Sequence, residues 1–223
     1  MLNVRSISHS YSTKSVFKNV SFSVSNGEIV GLVGENGAGK STLLKTLATL
    51  TNPVEGEIML HDQPYHQQKK DIRKKIGFVP QDIALWEEFT VEENMIFFEK
   101  LSWVTKNKED LKQICQDMNL DKWNEPVKSL SGGMKRKLNL AISLIHDPQV
   151  LLLDEPTAGI DLKSRKEIGS YLYKKAKNEN KLIIYTSHDM DEIITLCDRV
   201  YCLGKDPFYE QLLEKAEKEL IVL

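Results

Sequence analysis

Gly34-Glu35-Asn36-Gly37-Ala38-Gly39-Lys40-Ser41-Thr42 decides the fold because of what stands on either side of it. Residues 28–33 rise into it as an apolar strand. Residues 40–50 leave it with Leu43, Leu44, Leu47 and Leu50 on one helical face, ending near Pro53. A strand, a G-x-x-x-x-G-K-S loop and a helix in that order make a P-loop. The glycines let backbone N–H groups point inward at phosphate oxygens, and the helix adds its positive N-terminal end. Lys40 can then bridge two phosphates while the Ser41 hydroxyl ligates Mg²⁺. The stretch by itself predicts a site for a nucleoside triphosphate.

Downstream, Val150-Leu151-Leu152-Leu153-Asp154-Glu155 sets four apolar residues before two carboxylates. A buried strand of this kind delivers Asp154 to its C-terminal end, where an open α/β sheet binds ligands. Asp154 is expected to hold the Mg²⁺ shell, and Glu155 to orient or deprotonate an attacking water. Without a P-loop in the same chain, these residues and Pro156 would read as an acidic strand end before a turn.

Between and around these two segments the pattern is strand alternating with helix. Leu2, Val4 and Ile7 punctuate a polar start. Val20-Ser21-Phe22-Ser23-Val24 alternates strictly and stops at Asn26-Gly27, a hairpin turn signal. Thr90-Val91-Glu92-Glu93 is a capping box opening a helix that carries Met95, Phe97, Phe98 and Leu101. Further helices are expected over 108–118 and 132–145. Strand and helix alternate again from Val150, with strands over 182–186 and 200–203 and helices after Asp161 and over 190–196. A final helical face over 206–220 joins Phe208, Leu212, Leu213, Ala216 and Leu220, expected to pack on the body. The whole reads as one α/β unit, with core segments 1–81 and 148–223 and a helical insertion over 82–147. Alternation of this kind implies a mainly parallel sheet covered on both faces.

The bulk composition narrows the partners. Thirty basic and 32 acidic residues give a formal charge of -2, so the total carries no footprint for nucleic acid. The local basic run at 69–75 reads as a solvated helix face. Cys115, Cys197 and Cys202 are few and odd in number, as for free thiols in a reducing compartment. No window approaches the roughly 20 apolar residues of a membrane span, and the start lacks a signal-peptide core. A cytoplasmic chain follows, with any membrane role exerted through a partner.

Taken together these motifs, with Leu130-Ser131-Gly132-Gly133-Met134, resemble the ATP-binding subunits of ABC transporters over nearly the whole chain. The resemblance implies a P-loop NTPase core with an N-terminal antiparallel β subdomain and a helical subdomain. It implies ATP and Mg²⁺ as ligands, a second ATPase subunit (identical or related) and a separate transmembrane permease. The chain would then sit on the inner face of the cell membrane through that permease. Ser131, Gly132 and Gly133 resemble the signature that meets the nucleotide of the opposite protomer. Gln81 resembles the Q-loop glutamine near Mg²⁺ and the water. His188 resembles the switch histidine, touching the γ-phosphate and Glu155, and Asp161 lies in the D-loop as a plausible helix N-cap. Tyr11 matches the aromatic that stacks on adenine, and Val16 the residue lining the adenine or ribose.

Met134 stands where many members of that family carry glutamine, and Lys135-Arg136-Lys137 follows it. This run, with 43–58 and 81–98, resembles the separately encoded ATPases of the drug- and antibiotic-export type. An importer subunit is the alternative direction. A non-transport ABC ATPase of repair, translation or iron–sulphur assembly is a second class, without its usual paired cassettes or coiled coils here. A P-loop kinase or GTPase is a third, set aside by the L-S-G-G element and by the reading that no guanine-recognition motif is present. The aromatics Trp86, Phe89, Phe97, Phe98 and Trp103 are candidates for a permease-docking groove, with at least Phe97 or Phe98 expected in the subdomain core.

Overall fold

The computed structural model describes every residue except Thr13. Two sheets organise it. The first is four-stranded and antiparallel where paired, in the order β2-β1-β4-β5, from β1 (Leu2–Tyr11), β2 (Lys14–Val24), β4 (Glu55–Leu60) and β5 (Gln63–Pro64). The second is six-stranded and parallel, in the order β10-β9-β3-β8-β7-β6. Its strands are β3 (Ile29–Val33), β6 (Ile76–Val79), β7 (Val150–Asp154), β8 (Leu182–Thr186), β9 (Arg199–Cys202) and β10 (Leu220–Val222).

The apolar runs explain the parallel sheet. Every residue of β3, β7 and β8 is buried, because helices or the other sheet cover both faces. Alternate residues then serve two cores. Val30, Leu32, Leu152 and Ile184 face α1 (Lys40–Leu47) and the antiparallel sheet. Ile29, Val33, Leu151, Leu153, Ile183 and Tyr185 face the remaining helices. Those include α3 (Val91–Lys100), α4 (Lys108–Gln116) and α5 (Gly132–Ser143), all lying between β6 and β7, after the short α2 (Lys69–Arg73). α6 (Leu162–Glu179), α7 (Met190–Leu196) and α8 (Pro207–Lys215) complete the chain order.

Local signals set most helix starts. Thr90 and Glu93 form the reciprocal capping box expected from their spacing. Ser131 caps α5 and Asp161 caps α6, each accepting a backbone N–H three residues on. α2 buries only Ile72, leaving the basic run of that segment largely solvated as expected.

Three expectations need correction. Asn26-Gly27 is not the turn of a hairpin: β2 before it belongs to the antiparallel sheet and β3 after it to the parallel one. α1 ends at Leu47 rather than at 50. Thr49 has φ 61, and Arg73 binds both its hydroxyl (2.7 Å) and its carbonyl (3.1 Å), which leaves Leu50 exposed. At the end of the chain the helix stops at Lys215, and Leu220 is a strand residue paired with Val200. Leu213 is fully buried there, whereas Phe208 is 59% exposed. Among the described residues no helix is long and apolar enough to cross a membrane.

Candidate functional site

All six strands of the second sheet run the same way, so their C-terminal ends share one edge, and the expected site residues collect there. β3 ends at Val33 and releases the loop that begins with Gly34. β8 lies between β3 and β7 and ends at Thr186 before Ser187 and His188; β7 ends at Asp154 and β6 at Val79 before Gln81. Four separate sequence segments thus meet at the edge of one sheet.

The loop wraps around its own lysine. Lys40 Nζ donates to the carbonyls of Gly34 (2.7 Å) and Glu35 (3.0 Å), and the side chain is buried. Burial lowers its pKa, while Glu155 and then Asp154 pull in the other direction. Gly39, the N-cap of α1, has φ 105, and a Cβ there would stand 2.6 Å from Val16 Cγ1. Only glycine meets both demands. The same contact puts Val16, on β2, against the phosphate loop. Tyr11, at the end of β1, is 51% exposed. His9 meets its ring edge-on at a centroid distance of 4.9 Å.

Asp154 and Glu155 part company at once. Asp154 is buried and its Oδ1 accepts the Thr186 hydroxyl at 3.0 Å. Glu155 has φ 49, a left-handed backbone that costs a residue with a Cβ. That conformation turns its carboxylate toward two neighbours. His188 Nε2 lies 2.8 Å from Oε1, and Gln81 Nε2 donates to Oε2 at 3.2 Å. The resemblance had assigned these residues to one site, and the structure brings them together across 74 and 33 residues of sequence.

The oxygen set fits a hard divalent cation. Among the described residues no cluster of three His, Cys, Asp or Glu side chains forms a metal cage. Asp154, the Ser41 hydroxyl and the Gln81 amide instead offer a partial set, the kind that Mg²⁺ completes with phosphate oxygens and water.

Ser131 and Gly132 form an exposed tip at the start of α5. Ser131 Oγ accepts the Met134 N–H at 3.3 Å, and Met134 itself packs against the helical core. Gly133 is buried, and a Cβ there would fall 2.2 Å from Ser164 Oγ. This glycine is therefore demanded by close packing on α6, beside Asp161. Asp161 Oδ1 accepts the N–H of Ser164 at 2.9 Å, making it the N-cap of α6 as expected.

Sequence reading missed several residues here. Thr186 and Glu192 carry no motif of their own, yet Glu192 Oε2 accepts from Ser187 (2.7 Å), Thr157 (2.8 Å) and Tyr185 (3.1 Å), joining β8, α7 and the segment after Glu155. Only their nearness to His188 in sequence hinted at them. One pattern was also overlooked: Asn107-Lys108-Glu109-Asp110 spells the guanine-reading N-K-x-D. It lies away from the strand ends as the start of α4, where Asn107 Oδ1 is spent capping Asp110 N at 2.8 Å.

The fold and site define a P-loop cassette, and comparison with known proteins specifies the family. Residues 17–158 match the ABC transporter family. The chain belongs to that family. It is 36% identical over 203 residues to the linearmycin resistance ATP-binding protein LnrL of Bacillus subtilis, covering 90% of this chain and 65% of that one. It is 41% identical over 200 residues to the Nod factor export ATP-binding protein I of Rhizobium etli, covering 88% and 63%. The chain thus spans somewhat less than two thirds of these relatives. Among solved structures, the dimeric bacterial ABC transporter cassette MJ0796 superposes with a TM-score of 0.81 at 25% identity, covering 91% of this chain and 94% of that one. Its post-hydrolysis dimer, bound to ADP and Pi, also matches at 0.81 and 25% identity, covering 92% and 94%.

Proposed function

We propose that this chain is the ATP-hydrolysing subunit of an ABC exporter, working as a head-to-tail dimer beneath a separate membrane permease. The observation that carries this reading is the convergence of Lys40, Asp154, Glu155, Gln81 and His188 on one sheet edge, while Ser131 and Gly132 stand exposed at the tip of another element. The names of the linearmycin-resistance and Nod-factor-export relatives favour export over import.

In this reading residues 34–42 cradle the triphosphate, with Glu35, Asn36, Gly37, Ala38 and Thr42 contributing backbone and hydroxyl donors around Lys40. Tyr11 stacks on the base and Val16 lines the sugar side. Ser41, Asp154 and Gln81 hold Mg²⁺, which when bound offsets the phosphate charge. Glu155 orients water for in-line attack on the γ-phosphorus and takes its proton as the bond to ADP breaks. His188 holds Glu155 in place and reaches the γ-phosphate. Ser131 and the Gly132 and Gly133 backbone close over the partner's nucleotide, beside Asp161, and loss of the γ-phosphate releases them.

We also assign 1–81 and 148–223 to the catalytic core and 82–147 to a helical subdomain that transmits closure. Trp86 and Trp103 are 53% and 56% exposed and Phe89 39%, whereas Phe97 and Phe98 are half-buried and Phe98 packs on the core. The three exposed rings suit a permease groove, which would place the chain on the inner face of the membrane. The purified chain should hydrolyse ATP without an acceptor substrate. Glu155→Gln should bind ATP, lose at least about 10²-fold of turnover and accumulate as an ATP-dependent dimer. A variant that stays monomeric at saturating ATP with turnover intact overturns this reading.

A further inference from the structure

Three consecutive basic residues follow the exposed tip of α5, and each goes to a different element. Lys135 Nζ bonds Glu87 at 2.7 Å. Lys137 is buried and pairs with Glu167 of α6. Arg136 Nη1 donates to the backbone carbonyl of Gln81, whose side-chain amide is bonded to Glu155.

Arg136 is half-buried, and its surroundings match that contact. Burial lowers its pKa, opposed first by the charge of Glu155 and then by that of Asp82. The guanidinium remains charged at any physiological pH. It is therefore held among the groups of the strand-edge cluster instead of in open solvent. α5 is a single helix of 12 residues. At about 1.5 Å per residue, Arg136 lies roughly 6 Å along it from Gly132, on the same stiff element. A shift of the tip moves the anchor of the Arg136 side chain, and with it the carbonyl of Gln81.

We propose that Arg136 is a positioning residue that couples the Ser131–Gly132 tip to the Gln81–Glu155 pair of the same chain. Engagement of the tip by the partner's nucleotide then adjusts the amide that holds the water-orienting carboxylate. Each protomer's hydrolytic readiness depends in this way on the occupancy of the other site. The inference rests on the proposed head-to-tail dimer, and goes beyond it by naming the connection within one chain.

The test is a double-mutant cycle on the purified full chain, measuring steady-state ATP turnover and, separately, ATP affinity of the monomer. Arg136→Ala should lower kcat about tenfold with KM and monomer affinity changed less than about twofold. Combined with Ser131→Ala, it should lower kcat no further than Ser131→Ala does alone. Losses that multiply, or full turnover in Arg136→Ala, overturn the coupling. Should the alanine variant fold poorly, Arg136→Met, which keeps the aliphatic stem but has no donor for the Gln81 carbonyl, runs the same cycle with the same criteria. Full turnover in Ser131→Ala by itself would remove the wall acting across the dimer, a failure separable from that of Arg136.

Discussion

The hydroxyl of Thr186 accepts the backbone N–H of Glu155 at 2.8 Å. It spends its own proton on Asp154 Oδ1. One fully buried side chain on β8 thus holds the Asp154 carboxylate and the backbone N–H of Glu155, and supports the left-handed backbone of Glu155.

Thr186→Val keeps the shape and removes both bonds. Leaving a part-buried N–H and a buried carboxylate oxygen without this partner costs about 1–3 kcal/mol each, about 2–6 kcal/mol together. Denaturant unfolding should register a loss in that range. Turnover should fall with it, because Glu155 can relax away from His188 and Gln81. Unchanged stability and unchanged kcat together would show that Thr186 only fills space.

Lys40→Ala should abolish tight ATP binding, read by calorimetry or a fluorescent nucleotide. The lysine is buried and held by two loop carbonyls, so its charge has no other evident use. Unaltered affinity would remove it from the phosphate site.

Ser131→Ala should lower turnover while the monomer binds ATP nearly as before, since the tip of α5 is expected to serve the opposite protomer. Loss of the α5 cap itself costs about 1 kcal/mol, visible in thermal unfolding. Equal losses of turnover and of monomer affinity would place Ser131 in its own chain's site instead.

All three thiols should resist alkylation in the folded protein. Burial pushes Cys115 and Cys197 up to about 12 and Cys202 up to about 11. A group with its pKa raised this way stays protonated far above neutrality, so at about pH 8 roughly one Cys202 in 10³ is thiolate. Maleimide labelling followed by mass spectrometry should find none modified natively and three after unfolding. Rapid native labelling of any one would contradict its burial.

What the sequence disclosed was whatever is local or repeated by chemistry. The P-loop, the Thr90 capping box and the Asp154-Glu155 strand end each carry their own reading within a few residues, and each stands where expected. Contacts between distant segments were silent. Arg136 meets Gln81 across 55 residues and Thr186 meets Glu155 across 31, through ordinary residue types. Leu220 kept the spacing of the helix before it, yet the open edge of β9 took it as a strand. Asn26-Gly27 made its tight turn faithfully. Turn chemistry fixes a reversal, whereas which sheet receives the next strand is settled by burial on both faces of β3.

The Asn26-Gly27 turn carries the chain from the antiparallel sheet to the parallel one. The two sheets are also clamped where Arg199 Nη2 and the Tyr201 hydroxyl both donate to the carbonyl of Ser23, at 2.6 and 2.8 Å. Tyr11 and Val16 stand on one side of this seam and the phosphate loop on the other. The seam acts as a caliper: hydrogen bonds at one strand carbonyl, outside the glycine loop itself, set the spacing of the two walls between which the proposed nucleotide would lie.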